Sequence, residues 1–129
     1  MAMDGFAIGG YDGPTPQGGV WNALPMPFEI ESVRPDVWGI DLSDGKIAIG
    51  EAKSANDILC SHTNEQLRVF GHLQERDGRR RATLYIAVPH SAAGLLDRAL
   101  VRAGVAAGQH LVRIHVPDCL LPKTEYEYA

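Results

Sequence analysis

The pattern of hydrophobic residues predicts an α/β fold: a meander of three strands, then a helix, a strand, a second helix and a last strand. Three observations lead to this prediction. Residues 28–33 alternate between apolar and polar side chains, residues 63–75 carry a leucine and phenylalanine stripe at helical spacing, and residues 83–88 form a continuous apolar run. We therefore expect a central mixed β-sheet flanked by helices.

Turn and cap residues mark the ends of these elements. Asp44-Gly45 separates the second strand from the third and favours a two-residue type I′ turn, in which both central residues have positive φ. Gly104 is placed to end the second helix, and Pro117 to end the last strand. The predicted elements are strands Phe28–Val33, Val37–Leu42 and Lys46–Glu51, helix Thr63–Glu75, strand Thr83–Val88, helix Ser91–Ala103 and strand Leu111–Val116.

The first 27 residues differ in composition from the rest of the chain. They contain six of the 14 glycines and four of the eight prolines, and such a stretch loses too much backbone entropy to form long regular elements by itself. We predict that residues 1–27 form an extended arm or linker and that residues 28–129 form one domain. A chain of 129 residues is consistent with a single domain.

Composition excludes several classes of protein. The two cysteines lie far apart without metal-ligand spacing, so a zinc knuckle or disulfide scaffold is not expected, and a reducing, cytoplasmic location is the default. No apolar run approaches the roughly 18–20 residues of a membrane span, so no membrane partner is expected. The formal net charge of −4 argues against a protein that coats nucleic acid non-specifically.

The predicted hairpin brings charged side chains together at its open end. The two-residue turn pairs Trp38 with Glu51 and Asp36 with Lys53. Because side chains alternate along a strand, Asp36, Glu51 and Lys53 share the apolar face that carries Trp38. Neighbours across two strands lie within about 5–8 Å, so two carboxylates and an amine are expected to converge.

Such a cluster suits metal-assisted hydrolysis of a phosphodiester. Two close carboxylates repel each other, and burial raises the cost of ionising either one. Mg²⁺ removes this cost, because it is typically held by one or two carboxylates together with substrate phosphate and water. A neighbouring lysine can orient a water molecule or balance the charge that develops on phosphorus.

Pro35-Asp36, followed after fifteen residues by Glu51-Ala52-Lys53, resembles the PD-(D/E)xK nuclease superfamily. In pattern the chain is most similar to small VRR-type, Holliday-junction-resolvase-like or RecB-type nuclease modules. The resemblance implies a restriction-endonuclease-like core and a nuclease that hydrolyses DNA through a metal-activated water, with endonuclease action favoured. It implies Mg²⁺ as the cofactor, with Mn²⁺ as a substitute.

The resemblance also assigns roles to individual residues. It implies that Asp36 and Glu51 bind the metal together with the backbone carbonyl of Ala52, and that Lys53 is the catalytic amine. Several branches of the superfamily carry a glutamine in the following helix, so Gln66 is implied as an auxiliary catalytic group. A second interpretation of Gln66 is structural, because Thr63-x-x-Gln66 has the pattern of a helix capping box.

The chain departs from the superfamily pattern at its start. The superfamily core usually opens with a helix, whereas here the corresponding region is the Gly/Pro-rich arm. One face of the sheet is then left undercovered, and we expect a homodimer or a fused or partner domain to cover it. The alternative to a nuclease is a catalytically inactive module on the same fold that binds nucleic acid or protein.

Overall fold

The computed structural model describes residues 1–12, 24–75, 80–108 and 110–121. Within these ranges it contains a five-stranded open sheet and two α-helices, which confirms the α/β class. The strands are β1 (Phe6–Tyr11), β2 (Val37–Asp41), β3 (Ile47–Ala52), β4 (Thr83–Pro89) and β5 (Leu111–Val116), and the helices are α1 (Ser61–Gly71) and α2 (Ala93–Ala103).

The sheet is mixed, and its strands lie side by side in the order in which they occur in the chain. The pairs β1–β2 and β2–β3 are antiparallel, whereas β3–β4 and β4–β5 are parallel. Parallel neighbours need a crossover connection, which α1 and α2 supply. As a consequence, the start of β2 and the ends of β3, β4 and β5 all lie at one edge of the sheet.

Both helices pack on the same face of the sheet. Their apolar side chains and those of the central strands form one continuous buried core, in which Phe70 and Leu96 are almost fully shielded from solvent. The sheet contributes alternate residues to this core, as the pleat requires. These sheet residues are Ile49, Leu84, Ile86 and Val88.

In the part of the chain that the structure describes, the opposite face carries a small apolar cluster. Its buried members are Phe6, Ala48 and Tyr85, and Tyr85 donates a hydrogen bond from its hydroxyl to the Asp4 carboxylate at 2.6 Å. Among the described residues, the short 3₁₀ turn Ala2–Asp4 is the helical element that contacts this face. The expectation that a second copy or a partner domain covers the face stays a prediction.

The predicted strand Phe28–Val33 is wrong. Ile30 and Val33 exchange backbone hydrogen bonds of 2.7 and 3.0 Å across a two-residue turn, in which Glu31 and Ser32 have φ of 48° and 69°. A strand in a sheet has only two neighbours, and the neighbours of β2 are β1 and β3. No position beside β2 is therefore left for residues 28–33. β1 lies inside the predicted arm, of which residues 13–23 are outside the described ranges; the domain boundary after residue 27 stays a prediction.

The predicted two-residue turn between β2 and β3 is also wrong, because the loop has four residues, 42–45. Asp41 closes it by donating its N–H to the Lys46 carbonyl at 2.8 Å, and of its residues only Gly45 has a positive φ, at 77°. Asp41 also accepts hydrogen bonds from the backbone and side chain of Ser43. These local hydrogen bonds favour the four-residue loop relative to a type I′ turn, which needs two residues in the left-handed conformation.

Replacement of Phe70 by alanine tests where the core lies. Phe70 is 0% exposed beneath the helices, so Phe70→Ala is expected to lower the free energy of unfolding by about 3–5 kcal/mol. Phe28→Ala is the matched control, because Phe28 is 51% exposed and its loss is expected to cost less than about 1 kcal/mol. Urea titration of both variants would measure the difference, and equal losses would contradict this position of the core.

Candidate active site

The register of the β2–β3 ladder places Asp36 opposite Glu51. The antiparallel ladder ends with Val37 opposite Gly50, so the next residues outward are Asp36 and Glu51. The Asp36 N–H donates a hydrogen bond of 3.0 Å to Glu51 Oε1. The Ala52 N–H donates one of 2.8 Å to Asp36 Oδ2. The two carboxylates are therefore each oriented by the backbone of the opposite strand.

Lys53 completes this group of charges. Its backbone N–H donates to the Ala87 carbonyl at 2.9 Å, next to the last pair of the β3–β4 ladder, Ala52 with Ala87. Its Nζ lies 3.5 Å from Glu51 Oε2, and its side chain is only 14% exposed. The structure thus brings Asp36, Glu51 and Lys53 together. The residue opposite Asp36 is Glu51, whereas the predicted two-residue turn had placed Lys53 there.

Glu51 lies in an environment that disfavours its charge. Its side chain is fully buried, and burial raises its pKa from an ordinary 4.5 to about 8, helped by the neighbouring Asp36 carboxylate. Lys53 acts in the opposite direction but does not compensate. Glu51 Oε2 lies 3.5 Å from the Lys53 ammonium, and among the described residues it accepts no hydrogen bond of good geometry. A buried oxygen in this state is prepared to receive a proton or a cation.

The residues present fit a hard divalent cation. Asp36 and Glu51 supply carboxylate oxygens, and Ala52 lies between Glu51 and Lys53 with a main-chain carbonyl as a further oxygen donor. No three His, Cys, Asp or Glu side chains of the described ranges are grouped so that they could hold a metal ion together. Any cation here would therefore depend on this carbonyl, on water or on substrate oxygens to complete its coordination.

Gln66 is buried in α1, but not as part of a capping box. The helix begins at Ser61 with Cys60 as its N-cap, and the Thr63 N–H donates to Cys60 Sγ at 3.4 Å. Thr63 therefore lies inside the first turn, and the capping interpretation of Gln66 is wrong. The Oε1 of Gln66 has no hydrogen-bond partner among the described residues, and no hydrogen bond joins Gln66 to Asp36, Glu51 or Lys53 there. Its auxiliary role stays a prediction.

Sequence analysis missed one carboxylate beside this group. Asp12 follows β1, and its N–H donates to the Asp36 carbonyl at 2.6 Å. Asp12, Asp36 and Glu51 are all among the residues that line a groove of about 540 Å³. The signal for Asp12 was weak, because its glycine-rich surroundings did not indicate a strand. Its position follows only from the pairing of β1 with β2.

Comparison with known proteins found no matching family model, no matching curated protein and no matching solved structure. Within the described ranges, neither helix has the length and hydrophobicity needed to cross a bilayer.

The raised pKa of Glu51 predicts how stability changes with pH when no metal is bound. Between pH 4.5 and about 8 the unfolded state releases the Glu51 proton while the folded state keeps it, so the free energy of unfolding falls as pH rises. At about 1.4 kcal/mol per pKa unit, the loss amounts to a few kcal/mol. Glu51→Gln cannot ionise, and its stability should not show this component.

The measurement is urea unfolding of the parent and of Glu51→Gln from pH 5 to pH 8.5 in EDTA. The difference between the two curves isolates Glu51 from other titrating groups such as His110, whose pKa is lowered by burial. If the two proteins lose the same stability over this range, Glu51 is ionised throughout and its environment is not as described.

Proposed function

We propose that this protein is a metal-dependent nuclease that hydrolyses DNA phosphodiester bonds. The observation that carries the proposal is the buried carboxylate of Glu51, which has one oxygen without a hydrogen-bond partner in the described ranges and lies between the Asp36 backbone and the Lys53 ammonium. Two carboxylates and an amine at this spacing are the group that the PD-(D/E)xK resemblance implies.

The shape of the sheet supports the same proposal. The resemblance implies a meander followed by a helix, a strand, a helix and a strand, and β1 to β5 with α1 and α2 follow that order. In this chain both α-helices pack on one face of the sheet, so we propose a restriction-endonuclease-like core in which no α-helix of the described ranges covers the second face.

Asp36, Glu51 and the Ala52 carbonyl would hold Mg²⁺, or Mn²⁺ in its place. When bound, the cation supplies Lewis-acid activation of the attacking water and neutralises charge on the phosphate. The hydrogen bonds from the Asp36 and Ala52 N–H groups keep the two carboxylates aligned before any ligand arrives. Such preorganisation means that little side-chain freedom is lost on binding.

Lys53 is the group of the chain that would face the reacting phosphate. Its ammonium, held near Glu51, stabilises the negative charge that develops on the phosphate oxygens. The reaction consumes one water molecule: its oxygen bonds to phosphorus, the ester bond to the leaving nucleoside breaks, and a water proton passes to the leaving oxygen. Gln66 would assist as an auxiliary group in this scheme.

Asp36→Asn tests the proposed metal ligands. The substitution keeps the shape and removes one anionic ligand, so affinity for Mg²⁺ or Mn²⁺ is expected to fall roughly tenfold or more. Asp44→Asn is the matched control, because Asp44 lies exposed in the loop at the other end of the hairpin. Calorimetric titration of Mn²⁺ into both variants gives the affinities, and a parent-like affinity of Asp36→Asn would remove Asp36 from the metal site.

Lys53→Met separates an enzyme from an inactive binding module. It keeps most of the aliphatic stem and removes the charge, so cleavage of DNA in Mg²⁺ is expected to fall about 100-fold or more. Affinity for DNA in Ca²⁺ should fall only modestly, because one cation among several phosphate contacts is lost. Lys46→Met, in the same hairpin but at its loop end, is expected to cleave like the parent.

Cleavage assays on supercoiled, linear and branched DNA, run beside the binding assay, decide between the two functions. Equal rates for the parent and Lys53→Met would contradict the role of Lys53. A parent that is inert on all three substrates with Mg²⁺ and Mn²⁺ would contradict the nuclease and favour the binding module.

A further inference from the structure

A crevice of about 950 Å³ opens at the edge where β3, β4 and β5 end. Ala52 and Lys53 line it, so it adjoins the candidate active site. Two 3₁₀ turns border it, His90–Ala92 after β4 and Asp118–Leu120 after β5. The Ser91 hydroxyl donates to Asp118 Oδ1 at 3.4 Å and links the two turns.

The walls of this crevice are mainly aliphatic. Leu120 is 71% exposed there, so among the described residues most of its apolar surface is accessible to a ligand. Polar groups are fewer, and among them Ser54, Ser91 and Asp118 offer oxygens. The larger aliphatic residues are Val88, Pro89, Val116, Leu120 and Leu121.

The charges of the crevice are unsuited to a sugar–phosphate chain. Among its described lining residues Lys53 is the single cation, and Asp118 is an anion. A phosphate backbone is bound by several cations, so it would remain at Lys53 and outside the rest of the crevice. A nucleobase has the complementary properties: its faces stack on apolar side chains, and its amino groups donate to carboxylate and hydroxyl oxygens.

We propose that this crevice receives an unpaired base of single-stranded DNA, next to the phosphate that lies at Lys53. The inference rests on the proposed function and names its substrate class. A base in a duplex reaches such a pocket only after it is unpaired and unstacked, at a cost in free energy that a single strand does not incur. The protein therefore acts on single strands or frayed ends in preference to intact duplex.

The test compares Leu120→Ala with Leu42→Ala in the full chain. Both leucines are exposed, at 71% and 81%, so neither variant is expected to unfold, and Leu42 lies in the loop at the far end of the hairpin. The probes are a short single-stranded DNA that carries 2-aminopurine and the blunt duplex of the same sequence. Affinities are measured in Ca²⁺, and the 2-aminopurine emission reports whether a base enters the crevice.

The parent and Leu42→Ala are expected to bind the single strand at least about fivefold more tightly than the duplex, with a change in 2-aminopurine emission. Leu120→Ala should lose most of this preference and keep the duplex affinity. Equal affinities of the parent for both probes, or indistinguishable behaviour of the two variants, would overturn the inference.

Cleavage of the same probes in Mg²⁺ separates this inference from the proposed function. A parent that cleaves single strand and duplex equally, with no effect of Leu120→Ala, would overturn the crevice proposal and leave the nuclease intact. A parent that shows the Leu120-dependent preference in binding but cleaves neither probe would support the crevice and contradict the nuclease.

Discussion

The buried carboxylate of Glu51 is the constraint on which the rest of the site depends. On the helix-covered face of β3, Ile47 and Ile49 precede it, and an apolar residue in its place would continue the core at no electrostatic cost. Instead the chain buries a carboxyl group, for which the Asp36 N–H and the Lys53 ammonium compensate only in part, since its pKa remains raised. A cost of this kind is retained mainly where chemistry requires the group.

The geometry of this group follows from the parity of the strands more than from the turn. The predicted register was wrong by two residues, yet a shift of two leaves every side chain on its own face, whereas a shift of one would have moved Asp36 to the opposite face from Glu51. Sequence analysis therefore predicted that Asp36, Glu51 and Lys53 converge, but it assigned the wrong opposite neighbours. The loop length was not predicted, because hydrogen bonds from Ser43 to the Asp41 side chain stabilise the longer, four-residue loop.

The errors at the start of the chain have a common cause. The alternating pattern of residues 28–33 is compatible both with a strand and with the tight turn at Glu31-Ser32. The local pattern also does not reveal which segment of the chain pairs with β2. Long-range contacts decide which segment pairs with β2, and β1 occupies that position although it contains glycines. β4 and α2 were predicted to within two residues because burial against the core imposes the pattern directly, and β5 was predicted equally well although its residues are only half-buried or exposed.

The topology of the sheet explains why the charged side chains of the candidate active site lie at one edge of it. An antiparallel hairpin places the residue before β2 beside the end of β3, and two crossovers on the same face return β4 and β5 in the direction of β3. Lys53 therefore lines the same crevice as Ser91 and Asp118 in the turns that follow β4 and β5, although it lies far from them in sequence. Because the chain has a net charge of −4, the DNA of the proposed function would have to be held by a local arrangement of this kind and not by the overall field of the protein.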